Sequence, residues 1–102
     1  MAAREDNMSY GRVNYEHKGI PIMGLPVREG VARGRVMGTI EPGSVFEVLD
    51  SAYYAASSRN PKAGIHLRIC ATINGKKRVG WVLARYSHPI SNDAYFAMSW
   101  RK

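Results

Sequence analysis

The segment from Ile65 to Ile73 alternates apolar and polar residues and predicts a half-buried β-strand. Its odd-numbered positions are all apolar, whereas His66, Arg68, Cys70 and Thr72 occupy the other face. The dipeptide that follows, Asn-Gly at positions 74 and 75, favours a two-residue type I′ hairpin. The run KRVGWVL is therefore expected to return as the partner strand.

The segments before this hairpin also predict short strands. Gly and Pro interrupt the run from Gly19 every few residues, which excludes a helix and permits short extended pieces such as Leu25 to Arg28. In GRVMGTIEPGSVFEVLD, two β-rich runs flank the sequence Glu-Pro-Gly-Ser at positions 41–44, which is typical of a type II turn. Residues 51–64 are small and polar and end in Pro and Gly, so we expect a long exposed loop there.

Both ends of the chain are harder to assign. Residues 1–18 are polar and predict a flexible arm, with a short strand between Tyr10 and Tyr15 as the alternative. Residues 89–102 form a tail that packs on the domain or extends it, either as a capped helical turn from Asn92 or Asp93 or as a last strand. Several short strands in residues 19–88 predict an all-β fold, a small and partly open β-barrel.

The order of four motifs in residues 25–87 resembles the bacterial-type SH3-like (SH3b) domain family. That family opens on Val-Arg-x-Gly, continues into a Gly-Thr-Leu-x-x-Gly turn before a Phe/Val-rich strand, and closes on Gly-Trp-Val followed by a Tyr. The matching residues are Val27, Arg28, Gly30, Gly38, Thr39, Ile40, Gly43, Phe46, Val48, Gly80, Trp81, Val82 and Tyr86. The resemblance implies an SH3-like barrel that acts as a protein-interaction module.

Two departures from related domains affect the expected function. His66 stands where the family often has a Trp. The segment and the paired Trp with which eukaryotic relatives bind polyproline are both missing, and a polyproline helix needs such aromatic walls. We therefore do not expect polyproline recognition.

The net charge of +7 is concentrated in the second half of the 102-residue chain. Up to Asp50 there are six Lys/Arg and seven Asp/Glu, whereas nine Lys/Arg and a single acidic residue, Asp93, follow. This asymmetry indicates an acidic or polyanionic partner, although a solvated basic surface is the alternative.

No catalytic or metal-binding pattern stands out in the sequence. Cys70 and His66 are four residues apart on one strand face, about 13 Å by the rise per residue, which is too far for a bonded pair. His17, His66 and His88 lack the paired spacing of a zinc site. We expect no enzymatic activity, cofactor or metal. The unpaired cysteine and the lack of a signal peptide or membrane-spanning run predict an intracellular, cytoplasmic protein.

Two groups of residues are candidate contacts. The first is expected to bind a protein partner and consists of Tyr53, Tyr54, Arg59, Lys62, His66 and Tyr86. The second, at the tip of the Asn-Gly hairpin, consists of Lys76, Lys77 and Arg78, which suit phosphates or an acidic partner. Trp81 is expected to cap the core instead. The favoured function is a protein-interaction module in a larger assembly, and the alternative is a basic RNA- or DNA-associated domain without sequence specificity.

Overall fold

Nearly all of the regular structure consists of short β-strands, many of which have apolar residues at alternate positions. The computed structural model describes residues 10–54 and 63–90. Its strands are β1 (Tyr10–Val13), β2 (Glu16–His17), β3 (Ile20–Pro21), β4 (Leu25–Gly30), β5 (Arg33–Ile40), β6 (Val45–Tyr54), β7 (Gly64–Ile73), β8 (Lys76–Leu83) and β9 (Ser87–Ile90). One 3₁₀ turn, Ala84–Tyr86, separates β8 from β9.

Seven of these strands form one antiparallel sheet in the order β5-β4-β8-β7-β6-β1-β9, and β2 and β3 pair separately as a hairpin. The register shifts in β4 around Arg28 and in β6 between Val48 and Asp50, and such irregularities bend a sheet. The strands β5 and β7 are not neighbours in this order, yet a Cβ atom on Gly38 would lie 2.5 Å from Cγ2 of Ile73. The sheet therefore curls around one core as a partly open barrel, and the predicted fold class is confirmed.

The core lies inside this curl and is entirely aliphatic and aromatic. Its buried members are Val13, Leu25, Val27, Ile40, Phe46, Ile69, Ala71, Ile73 and Val82. They come from six different strands, so no strand pair alone could bury this apolar surface. The hydrophobic effect therefore stabilises the barrel as a single unit.

Both predicted turns are present. Gly43 has a φ of 86°, and the backbone N–H of Ser44 donates to the carbonyl oxygen of Glu41 at 3.0 Å, as a type II turn requires. Asn74 and Gly75 have φ values of 53° and 81°, the two positive values of a type I′ hairpin.

The sheet extends beyond the limits of 19 and 88 that we expected for the barrel. Strand β1 lies between β6 and β9 within the region expected to be a flexible arm, and Val13 is fully buried. A four-residue strand carries little periodicity of its own, and β1 is stabilised by pairing with two neighbours. The alternative of a short strand near Tyr10 agrees with the structure. Expectations for residues 1–9 and 91–102 lie outside the described residues.

The loop expected at residues 51–64 is shorter in the structure. Strand β6 continues to Tyr54 and β7 starts at Gly64, with Tyr53 opposite Ile65. Tyr has a high strand propensity, and its pairing with a β-branched residue across the strands stabilises this extension. Residues 55–62 lie outside the described part of the chain.

Candidate functional site

A groove of about 430 Å³ lies on the outer face of the barrel. One side is formed by the β2–β3 hairpin and the segment that leads into β4, and the other by β8 and the 3₁₀ turn. The aliphatic part of the lining includes Ile20, Pro21, Met23, Pro26 and Leu83. Met23 is 89% exposed and Ile20 is 68% exposed, so the groove presents apolar side chains to solvent.

Trp81 lies in this groove and not in the core. Its neighbours Gly80 and Val82 are buried, whereas Trp81 itself is only half-buried. Alternation therefore places Trp81 on the outer face of β8. The expectation that Trp81 caps the core is wrong, because Gly80 faces inward, where Val27 and Met37 fill the space that a side chain would need.

Arginines flank Trp81 on both neighbouring strands. Arg28 of β4 lies directly opposite Trp81 on one side, and Arg68 of β7 lies opposite it on the other. Directly opposite residues in antiparallel strands share one face of the sheet, with Cβ atoms about 4.5–5.5 Å apart. The outer face thus carries a row of Arg28, Trp81 and Arg68, in which Arg28 and Trp81 line the groove.

Two edge-to-face aromatic pairs lie beside this row. The rings of His17 and Tyr86 are 4.9 Å apart at 71°, and both residues line the groove. The rings of Tyr54 and His66 are 6.1 Å apart at 89°. Such pairs favour one arrangement of their rings, so these rings are held in a defined orientation.

Of the six expected partner-binding residues, His66 and Tyr86 line the groove. The alternation of β7 predicted a solvent-facing His66, but this side chain is only 3% exposed. Its position opposite Leu83 of β8 places it on the outer face, where it lines the groove. His66 packs there against Tyr54.

The remaining residues of that group are dispersed or outside the described part. Tyr53 is 72% exposed and does not line the groove. Both Tyr53 and Tyr54 belong to strand β6 and not to a loop. Arg59 and Lys62 lie outside the described residues.

The basic hairpin tip is separate from the groove. Lys76, Lys77 and Arg78 are all exposed in β8. Lys76 and Arg78 line a second, smaller depression of about 230 Å³ whose floor includes Met37 and Ile73. The two groups of predicted contacts therefore occupy different places on the barrel.

Sequence reasoning missed several residues of the groove, above all Arg28, His17 and Met23. Arg28 was identified only as part of a family motif, and the β2–β3 hairpin that carries His17 was not predicted. One signal could have revealed Trp81: a Gly inside a strand often marks a close backbone approach, which puts the Gly side of β8 inward. Trp81 then faces outward.

The described residues contain neither a metal-binding cluster nor a membrane-spanning helix. Within residues 10–54 and 63–90, no three His, Cys, Asp or Glu side chains come together in a way that could hold a metal ion. No helix in these same ranges has the length and apolar character needed to cross a membrane. Comparison of the whole chain with protein-family models, curated proteins and solved structures found no match.

Proposed function

We propose that this chain is a non-enzymatic, SH3-like protein-interaction module, an intracellular adaptor or subunit of a larger assembly, that binds an extended segment of a partner in its groove. The observation that carries the proposal is the groove itself: exposed aliphatic side chains and aromatic rings line one concave surface of about 430 Å³. Concave apolar sites with a few polar groups are typical binding sites in proteins.

The position of the groove on regular structure supports this proposal. Trp81 and Leu83 belong to β8, and Pro26 and Arg28 belong to β4. Side chains on paired strands are held more precisely than side chains on loops. A partner segment would therefore meet a largely preformed surface, which lowers the ordering cost of binding.

The alternative function, a nucleic-acid-associated domain, is favoured by one specific observation. Lys76, Lys77 and Arg78 are consecutive and exposed at one end of β8. Such a cluster suits phosphate contacts that carry no sequence information. We rank it second because the groove has a mostly aliphatic lining, which fits a peptide better than a sugar-phosphate chain.

Peptide binding can be tested with an array of blocked, extended peptides of about six residues, which span about 20 Å. Backbone NMR then locates the contact. We expect peptides rich in Leu and Val to shift the resonances of Met23 and Leu83, and to leave those of Lys76 and Lys77 unchanged. Shifts confined to Lys76 and Lys77 would contradict the proposal.

A variant pair sharpens this test. Met23→Ser removes an exposed apolar side chain from the groove, and Leu49→Ser removes one from β6, outside the groove. Met23→Ser should weaken peptide binding by several-fold, since each buried methylene contributes about 0.8 kcal/mol. Leu49→Ser should leave binding unchanged, and equal loss in both variants would exclude the groove.

A further inference from the structure

We propose that the segment bound in this groove carries a carboxylate beside its aliphatic side chains, and that Arg28 binds this carboxylate next to Trp81. The inference rests on the proposed function and names the chemistry of the partner. It follows from the charges around the groove and from the way in which Arg28 is held.

The groove lining is basic without compensating acid. It contains Arg28, His17 and His66, and no Asp or Glu is among the described residues that line it. Arg68, on the far side of Trp81, lies opposite Asp50, whereas Arg28 pairs with Val36 and Trp81 and has no acidic residue opposite it in the described strands. A cationic segment would therefore be repelled, and an acidic one attracted, before any short-range contact forms.

Arg28 retains free hydrogen-bonding capacity. Its side chain is half-buried, and Nη1 donates to the carbonyl oxygen of Gly34 at 3.4 Å, a long hydrogen bond. A guanidinium has five N–H donors in a planar fork that matches a carboxylate. Within residues 10–54 and 63–90, most of these donors are thus available to a ligand.

Two carboxylates beside this row, those of Glu29 and Asp50, each accept a hydrogen bond from the backbone. Glu29, next to Arg28 in sequence, accepts a hydrogen bond from the backbone N–H of Arg35 at 3.4 Å. Asp50 lies opposite Arg68, but its Oδ1 accepts from the backbone N–H of Ser51 at 2.8 Å. A partner's carboxylate would therefore supply the counter-charge that these side chains do not give to Arg28.

The half-buried position makes this contact selective. Hydrogen bonds between two charged groups are about twice as strong as those between neutral groups, and partial burial beside Trp81 reduces screening by water. The aliphatic side of the groove holds the neighbouring apolar side chains of the segment. We thus expect recognition of an aliphatic residue followed or preceded by Asp or Glu.

The test uses three blocked peptides with the same apolar centre. The first is acetyl-Glu-Leu-Val-Val-Leu-Glu-amide, which presents a carboxylate at either end in both chain directions. Its twins carry Gln or Lys in place of both Glu residues. Binding to the full chain is measured by Trp fluorescence, and contacts are located by the NMR shifts of Met23 and Leu83.

We expect the Glu peptide to bind about tenfold tighter than the Gln twin, and the Lys twin to bind more weakly than both. Arg28→Gln should remove the difference between the Glu and Gln peptides. Arg35→Gln, which removes the same charge from an exposed position of β5 outside the groove, should preserve it. Arg28→Lys should retain only part of the preference, because a point charge lacks the fork.

Each other outcome has a distinct meaning. Equal binding of the Glu and Gln peptides at Met23 and Leu83 overturns the carboxylate inference and leaves the peptide groove in place. A Glu preference that survives Arg28→Gln overturns the role of Arg28. If none of the three peptides shifts the groove resonances while an oligothymidylate does, the proposed function fails as well. The comparison of the twins on the unaltered chain needs no variant to fold.

Discussion

Arg28 and Trp81 lie directly opposite each other at the register point where β4 pairs with β8. Strand β4 is irregular on both sides of Arg28, so its pairing with β8 is centred on this position. The arrangement turns Trp81 outward and, by alternation, turns Gly80 into the barrel. The pairing of Arg28 with Trp81 thus goes together with two results: Gly80 packs in the core, and Trp81 lines the groove.

Gly80→Ala should destabilise the barrel by about 1–3 kcal/mol, the usual cost of overpacking. A Cβ atom at this position would lie 2.5 Å from Cγ1 of Val27 and 2.9 Å from the carbonyl oxygen of Arg28. Urea denaturation measures the change. Gly30→Ala is the control, since its Cβ would approach only Arg33, at 3.4 and 3.5 Å, and it should shift stability by less than about 0.5 kcal/mol. Equal midpoints for the two variants would contradict the inward position of Gly80.

Trp81→Ala should abolish peptide binding and leave the chain folded. Because the ring is half-buried, we expect a loss of less than about 3 kcal/mol, whereas Phe46→Ala, at a 2% exposed core position, should cost about 3–5 kcal/mol. Thermal unfolding followed by circular dichroism compares the two variants. If Trp81→Ala is as destabilising as Phe46→Ala, Trp81 packs in the core, and its assignment to the groove is wrong.

The turns and the all-β fold class could be predicted from the sequence because the residues that determine them are close together in the chain. Gly43 and the Asn74–Gly75 pair adopt positive φ values that few other residues tolerate, so their identity alone selects the turn type. For a similar reason, the prediction that Ile69, Ala71 and Ile73 of β7 face inward is correct. Strict alternation leaves one choice of face over these positions.

The groove could not be predicted because it depends on contacts between distant segments. In β8 both faces carry apolar residues, and the choice between them depends on Val27 and Met37, which fill the space beside Gly80. His66 is also buried by tertiary contacts, since it packs against Tyr54 of β6 at a strand position that alternation assigns to solvent. The local sequence pattern does not show which strand positions are buried by distant segments.

Val13→Ala should destabilise the domain by about 2 kcal/mol, from the transfer free energy of the lost methyl groups and the cavity that they leave. Val13 is fully buried, and its backbone N–H donates to the carbonyl oxygen of Ser44 at 2.9 Å. Val36→Ala, at a 41% exposed position of β5, should change stability by less than about 0.5 kcal/mol. Chemical denaturation distinguishes them. An unchanged midpoint for Val13→Ala would show that β1 behaves as the flexible arm that the sequence predicted.

Replacing Lys76, Lys77 and Arg78 together with Ser separates the two candidate functions. The side chains are exposed, and Arg78 is three residues from Trp81, about 10 Å along β8. We therefore expect an unchanged fold and an unchanged affinity for the uncharged Gln peptide. Binding of a mixed-sequence single-stranded oligonucleotide should weaken, and the slope of log affinity against log salt should flatten by about two units, at roughly 0.7 per phosphate contact.

The strength of oligonucleotide binding by the unaltered chain decides which function ranks first. For a peptide-binding module we expect a Kd no tighter than about 10⁻⁴ to 10⁻⁶ M at an ionic strength of about 0.15 M, the range of non-specific contact. Fluorescence titration at low and moderate salt gives this value, with circular dichroism as the control for folding. Submicromolar binding that collapses in the triple variant, with its circular dichroism unchanged, would make the hairpin tip a phosphate-binding element and place the nucleic-acid function first, because only phosphate contacts release condensed counterions in this way.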